Sequence, residues 1–424
     1  MSLLVLCLLI ALLLVIRVPV AFAFLGPSLL YMITTDQSVG LALRLVAEET
    51  ASFPLLAVPL FILLGCLANH AGIADRLFDF ALALMGRVRG NLGYVTIGVS
   101  MGFSWMSGSA VADAAALGKL QIPAMLRNGY SKRFALGLTG AASLIAPVMP
   151  PSIPAVIYAG LAAVSTGALF AASVVPALIM ALGLCIVVFL SVRGKDDLVR
   201  AEFSWPRVWQ TGKRVIAPLG APVVILGGIL GGYFTPTEAA AVGAAYMLVL
   251  GVCYRTLRIR DFPKVLTETV VTTASIMLIV AAASLLGYVF ALELVPQRLS
   301  EWVLDLTTNA TVFMLLVFAL SMILGTALDA IAVLTLTVPI LLPISAVYGV
   351  DPIALGVLMI VSQMIGLLTP PVGTVIFVLQ AIARARMSEV FWGSVPFLIP
   401  MVLLCFGIIF WPDAILYLPK ELGL

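Results

Sequence analysis

The sequence predicts an all-α polytopic membrane protein built from two inverted repeats, each holding a re-entrant helical hairpin and a discontinuous helix. Three observations lead there. The chain has 424 residues, of which 62% are hydrophobic and 10% charged; a soluble domain carries about 25% charged residues. An ordered set of interruptions occurs twice: Ser107-Gly108-Ser109, Asp113, Pro123 and Pro150-Pro151, then Gly325-Thr326, Asp329, Pro339 and Pro370-Pro371. Finally, the basic residues sort onto one side of the membrane only if both interrupted segments enter and leave on the same side.

The elements follow in order. Residues 1–53 predict N-terminal scaffold helices, with spans at 3–16 and 18–33. Arg17 follows the first apolar run and no basic residue precedes it, which predicts a retained helix rather than a cleaved leader. Repeat 1, 54–192, comprises a span at 54–69, an amphipathic arm at 73–88, an inner hairpin within 92–119, a broken helix over 134–165 and a span at 168–192. Residues 193–266 link the repeats through helices at 215–232 and 236–254. Repeat 2, 267–412, returns with a span at 267–292, an arm at 295–308, an outer hairpin within 311–342, a broken helix over 353–383 and a span at 389–412, before a tail at 413–424. Glu48 and Glu49 fall in an outer loop, and the GxxxG spacings of Gly227, Gly228, Gly231 and Gly232 predict close helix packing.

With the N-terminus outside, 20 basic residues face inward, among them Arg17, Lys119, Lys195 and Arg200; Arg44, Arg298 and Lys420 complete the 23 on the outer side. Both termini are then on the outer side of the membrane. The first hairpin opens from the cytoplasm and the second from outside, so the repeats have opposite orientation. Leu64-Gly65 with Arg76-Leu77 match Leu286-Gly287 with Arg298-Leu299, and Pro176 matches Pro396.

The interruptions carry the chemistry. Leu92 to Met106 makes about 22 Å of helix, short of a hydrocarbon core of about 30 Å, before Ser107-Gly108-Ser109 breaks the apolar run. Four prolines crowd residues 147–154; each lacks an N–H and clashes with the carbonyl four residues earlier, so carbonyls are freed at membrane depth. Thr369-Pro-Pro-Val-Gly-Thr374 repeats the device. Freed carbonyls beside hydroxyls form a shell of neutral oxygens suited to a hard cation such as Na⁺, and half-helix N-termini offer N–H groups to an anion. Asp113 and Asp329 either neutralise a bound cation or cap the broken backbone. Cys7, Cys66, Cys185, Cys253 and Cys405 lie singly without metal-ligand spacing, so no transition metal and no cofactor beyond the coupling ion are expected. His70 is the only histidine and has no partner that would make a hydrolase. Glu238-Ala-Ala only partly matches the coupling motif of ATP-driven permeases, because Gly243 comes one residue too early. A sodium/proton antiporter would not need matched polar tips.

These residues resemble the large membrane subunit of tripartite ATP-independent periplasmic (TRAP) transporters over essentially the whole chain. The most specific pieces are Ser107-Gly-Ser-Ala-Val-Ala-Asp113, Met149-Pro-Pro-Ser-Ile-Pro154, Gly232-Tyr-Phe-Thr-Pro-Thr-Glu-Ala-Ala-Ala-Val242 and Leu368-Thr-Pro-Pro-Val-Gly373. The resemblance implies no enzyme but Na⁺-driven uptake of an organic acid, an elevator-type fold, a periplasmic substrate-binding protein and a small four-helix membrane subunit as partners, and no nucleic acid. By motif it implies a substrate-facing sodium site at Ser107, Gly108, Ser109, Asp113, Pro150, Pro151 and Ser152. A second sodium site would use Gly325, Thr326, Asp329, Thr369, Pro370, Val372 and Gly373. The alternative is an autonomous sodium/dicarboxylate symporter of the divalent-anion type, which carries Ser-Asn-Thr at its tips; neither tip here does.

Overall fold

The computed structural model describes residues 2–16, 18–193 and 203–424; Arg17, Lys195 and Arg200 of the charge map lie outside them. Among the described residues there are twenty α-helices and no strand. The chain begins with α1 (Leu3–Val15), α2 (Val20–Thr34) and α3 (Val39–Thr50). A 3-10 turn, Phe53–Leu56, leads into α4 (Ala57–His70) and the arm α5 (Ile73–Met85). The first hairpin is α6 (Asn91–Ser107) with α7 (Ala110–Arg127), the first broken helix is α8 (Lys132–Ser143) with α9 (Ile153–Ala162), and α10 (Thr166–Val192) closes the repeat. Linking helices α11 (Trp205–Leu230) and α12 (Pro236–Cys253) come next. The second repeat runs through α13 (Phe262–Leu292), the arm α14 (Val295–Leu306), the hairpin α15 (Ala310–Gly325) and α16 (Ala330–Val347), the broken helix α17 (Pro352–Leu367) and α18 (Thr374–Ala383), and α19 (Met387–Phe410). A short α20 (Asp413–Glu421) ends the chain.

Local chemistry sets many of these boundaries. Ser109, Ser131, Ser152 and Ser165 each accept a backbone N–H at the start of α7, α8, α9 and α10, while Asn309, Asp329 and Asp351 do so for α15, α16 and α17. The duplication extends to the backbone. Left-handed residues recur at Gly72 and Leu294, Gly129 and Gly349, and Ala163 and Arg384, and the Pro150-Pro151 and Pro370-Pro371 bonds are both cis.

Several sequence-based expectations change. The 193–266 link is mostly helical: α11 starts at Trp205, not 215, and α13 at Phe262, not 267, because their polar first turns still satisfy helical hydrogen bonds outside the apolar run. Glu48 belongs to α3 rather than to a loop, paired with Arg44 at 2.7 Å. Both hairpins are longer than expected, ending at Arg127 and Val347, and the tail is helical over Asp413–Glu421. At 13 and 15 residues, α1 and α2 are each too short to cross a hydrocarbon core of about 30 Å upright. Of the glycines at 227–232, Gly228 serves a turn rather than a helix pair within this chain: a Cβ there would stand 2.3 Å from the Phe234 ring, since the chain folds back before α12.

The two repeats interlock. Helix α7 packs on α18 and α9 on α16, so the returning arm of each hairpin lies against the broken helix of the other repeat. Helices α8 and α19 meet backbone to backbone: a Cβ on Gly137 would fall 1.9 Å from the Gly393 carbonyl oxygen, and one on Gly393 2.2 Å from that of Arg133. A smaller apolar cluster joins α1, α2 and α3 to α13, while α4 packs on α12 and α13. The arms α5 and α14 bridge these outer helices to the interlocked ones. Helix α5 leaves α4 at a 61° bend and α15 leaves α14 at 119°.

The α8–α19 contact yields a direct expectation. Gly137→Ala should lower thermal stability on the scale of core overpacking, about 1–3 kcal/mol. Gly98→Ala, inside α6 with nothing within 4 Å of the new methyl, should leave it unchanged or raise it by up to about 1 kcal/mol. Equal melting temperatures for the two variants would contradict this packing.

Candidate functional site

The first tip is built by three adjacent residues. Ser107 ends α6, Gly108 turns in the left-handed region at φ +59°, and Ser109 caps α7 by accepting the Ala112 N–H. Gly108 is required here twice over, because a Cβ would also stand 3.3 Å from both the Pro151 carbonyl oxygen and the Ile153 nitrogen. The hairpin tip therefore touches the proline break directly. Within that break Ser152 is fully buried; its hydroxyl donates to the Pro147 carbonyl and accepts the Ala155 N–H at 3.2 Å. Asp113, one turn into α7, is wholly buried. The Ser107 hydroxyl donates to its Oδ1, whereas Oδ2 has no hydrogen-bond partner.

The second tip is tied to its break through the backbone. The Thr326 carbonyl accepts from Val372 N at 3.2 Å and Gly373 N at 2.9 Å. Its hydroxyl donates to the Ile323 carbonyl at 2.8 Å, as that of Thr369 does to Ile365. Gly325 lets α17 approach: a Cβ there would stand 2.9 Å from the Gln363 carbonyl oxygen. The prolines act as expected from their missing N–H groups. Of the four carbonyls that lie four residues before the paired prolines, that of Pro147 takes the Ser152 hydroxyl and that of Gly366 takes the Thr369 N–H at 2.9 Å; Ala146 and Leu367 receive no hydrogen bond. Each break thus keeps at least one free carbonyl oxygen.

The two aspartates are not equivalents. Asp329 is the N-cap of α16, and its Oδ1 accepts Ile331 N at 2.6 Å and Ala332 N at 3.1 Å. Its counterpart by helix start is Ser109, 220 residues earlier; the same offset relates the proline pairs and takes Asp113 to Val333. The offset of 216 that aligns the aspartates is corrected by the caps, because the helix start, not the carboxylate, fixes the register.

A cavity of about 460 Å³ opens at the first tip. Ser107, Ser109 and Lys119 line it from the hairpin, Gly65, Cys66 and Asn69 from α4, and Glu268 and Thr272 from α13. A Cβ on Gly65 would sit 3.1 Å from the Met106 carbonyl, so this glycine sets how closely α4 approaches the tip. Sequence reasoning noted Gly65 as a repeat match but missed Asn69, Lys119, Glu268 and Thr272, whose convergence depends on tertiary packing. It also missed Gln363, which is buried beside Gly325 with both amide atoms unpartnered; a lone Gln inside an apolar run was the available signal. Among the described residues no three His, Cys, Asp or Glu side chains cluster.

Duplicated hairpins and broken helices around a polar cavity, with six helices among the described residues long and apolar enough to span a bilayer, define the class of membrane transport permeases. The chain belongs to the DctM component family of tripartite ATP-independent periplasmic transporters, whose family model matches residues 6–414. It is 38% identical over 404 residues, 95% of each chain, to the sialic acid TRAP transporter large permease protein SiaM of Vibrio cholerae. Identity is 37% to the C4-dicarboxylate TRAP transporter large permease protein DctM of Pseudomonas aeruginosa, covering 94% of this chain and 93% of that one. The fold matches the crystal structure of the Alcanivorax borkumensis YdaH transporter with a TM-score of 0.59, covering 87% of both chains at 16% identity. The chain is accordingly a multi-pass large permease and not an enzyme.

The geometry separates the two aspartates experimentally. Asp329→Asn keeps a capping oxygen and should retain most transport, while Asp329→Ala should lose about 1 kcal/mol of stability. Asp113→Asn should abolish uptake with the protein still folded. Uptake by membrane vesicles carrying the complete transporter, compared with melting curves, reads both; equal activity of Asp113→Asn and Asp329→Asn would contradict the assignment.

Proposed function

We propose that this chain is the permease of a sodium-driven transporter that takes up an organic acid delivered by a periplasmic substrate-binding protein, with a small four-helix membrane subunit packed laterally against its outer helices. The observation that carries the coupling is Asp113. A carboxylate that is fully buried, with one hydroxyl donor and one unpartnered oxygen, needs a cation or a proton to offset its desolvation. The free Ala146 carbonyl belongs to the same break and the free Leu367 carbonyl to the second, and neutral oxygens with a carboxylate favour Na⁺. The cavity beside the tip, with the α7 N-terminus at one end, suits a substrate carboxylate.

Alternating access by an elevator motion is the mechanism we assign, with both termini periplasmic and the membrane the bacterial inner membrane. Gly65 and Gly287 are matched positions on α4 and α13, yet Gly65 faces the tip of its hairpin while Gly287 faces Pro339, well along α16 and 3.7 Å from a Cβ placed there. Pro339 is the counterpart of Lys119, 220 residues earlier. The interlocked helices therefore sit displaced toward one side of α4 and α13. Exchanging the roles of the repeats moves the hairpins by roughly the ten residues between Ser109 at the tip and Lys119, about 15 Å of helix.

Two experiments test the reading. Proteoliposomes holding this chain and its two partners should accumulate substrate only with an inward Na⁺ gradient. Uptake unaffected when K⁺ replaces Na⁺, or driven by a proton gradient alone, would refute sodium coupling; robust uptake by this chain alone would favour an autonomous symporter. A disulfide between Gly287→Cys and Pro339→Cys should trap the present state, and one between Gly287→Cys and Ala327→Cys the opposite one, each blocking transport reversibly. Failure of the second pair to form in actively transporting vesicles would speak against the displacement.

A further inference from the structure

We propose that the groove between the second arm and the second hairpin holds one acyl chain of a phospholipid, and that α14 binds the headgroup of that lipid through its phosphate and a primary ammonium. Leu299, Trp302 and Val303 of α14 cover the groove, and the two helices of the hairpin wall it. Residues from Phe313 to Leu320 on α15 line it at i, i+3, i+4 and i+7, and those from Thr337 to Ile344 on α16 repeat the spacing. It therefore follows about 10.5 Å of each helix. Apart from the Trp302 indole, the polar side chain in the lining is Thr337, whose hydroxyl already donates to the Val333 carbonyl at 2.6 Å. Phe313, Val317 and Ile344 are buried at the floor, while Trp302, Leu316 and Leu320 are exposed at the rim. An opening rimmed by such side chains suits lipid and not water.

Size selects a hydrocarbon chain over a partner helix. A volume of about 300 Å³ along about 10.5 Å leaves a cross-section of about 29 Å². A helix about 10–12 Å across needs about 80–110 Å², so none can enter. An extended chain of about eight C–C bonds, each about 1.5 Å, matches the length. Apolar cavities stay dry and take up apolar molecules, and the surrounding bilayer supplies acyl chains.

Charge selects the headgroup. Arg298 precedes Leu299 and lies one turn before Trp302; it is exposed, and among the described residues no carboxylate pairs with it. Glu301 and Asp305 are exposed on the same helix and are likewise unpaired. Helix positions three apart stand about 5–6 Å from each other, so Arg298 and Glu301 fit the four bonds, about 1.5 Å each, from phosphorus to nitrogen in an ethanolamine headgroup. A purely anionic headgroup would meet two carboxylates and one guanidinium. In repeat 1 the matched positions are satisfied within the chain. Gln121, 220 residues before Leu341, is buried, and its amide donates to the Thr96 carbonyl at 3.4 Å, joining α6 to α7. Arg76, the match of Arg298, lies 3.5 Å from the centre of the Tyr254 ring.

The test uses nanodiscs holding this chain with its small subunit. The probe is phosphatidylethanolamine carrying a diazirine at the end of one acyl chain, and peptide-resolved mass spectrometry locates the adducts. At a low probe fraction, adducts on α15 and α16 should exceed those at the exposed Leu182 of α10 and Leu403 of α19 by about tenfold. Leu320→Trp, at a rim position that is 40% exposed, should fill the mouth and cut the groove adducts about tenfold without changing those on α10 and α19. Arg298→Gln should raise the probe fraction needed for half-maximal groove labelling severalfold, and phosphatidylcholine with the same diazirine chain should need a similarly higher fraction in the unaltered protein. Groove labelling no stronger than that of α10 and α19, or unaffected by Leu320→Trp, would overturn the site. Equal labelling by the two lipids, with no effect of Arg298→Gln, would overturn the headgroup assignment.

Discussion

Backbone hydrogen bonding at four interruptions governs this fold. In hydrocarbon an unpaired N–H or C=O has no water to turn to, so a helix can break only where protein supplies the missing partners. Each hairpin tip here is placed against a proline break. At the first site Gly108 brings the tip onto Pro151 and Ile153, and at the second the Thr326 carbonyl takes two N–H groups from residues 372–373. The tight glycine contacts of α8 with α19 and of α15 with α17 follow from the need to hold tip and break together. Among the oxygens left without a hydrogen bond are the carbonyls of Ala146 and Leu367 and Oδ2 of Asp113.

The same constraint relates the fold to transport. The tips are fixed to the breaks, whereas the first tip meets α4 at Gly65 and across the cavity, and Gly287 on α13 meets α16 at Pro339. In the elevator motion we propose, that division would let the interlocked helices shift as one body while the polar shells stay closed. Gly72 and Leu294, the left-handed residues before α5 and α14, mark where the arms leave the outer helices. An arm that bends at its end can accommodate displacement without exposing either broken backbone to lipid.

The repeats share architecture but divide the chemistry. Repeat 1 places a buried carboxylate beside its tip and borders the large cavity. Repeat 2 uses its aspartate as a helix cap and holds its tip by main-chain bonds. Charge enters at the rim instead, where Lys119 on α7 and Glu268 on α13 line the cavity.

The sequence by itself determined the membrane class, the duplication, both hairpins and both broken helices. Those features rest on local facts: proline cannot donate, Ser-Gly-Ser cannot continue an apolar span, and composition excludes a soluble core. Its choice of Ser107, Ser109, Ser152 and Asp113 also fell on residues that the fold brings together around one tip. Tertiary structure alone decided the rest. Asp113 and Asp329 look interchangeable at equal distance from Pro123 and Pro339, yet the capping register separates them. Asn69, Glu268 and Thr272 lie on helices far apart in sequence from Lys119, and nothing local marks them as neighbours. Gly228 reads as part of a helix-pairing motif until the returning Phe234 occupies its face. Periodicity and propensity act over one or two turns; the cavity depends on how helices from both repeats and the scaffold cross, which no local pattern encodes.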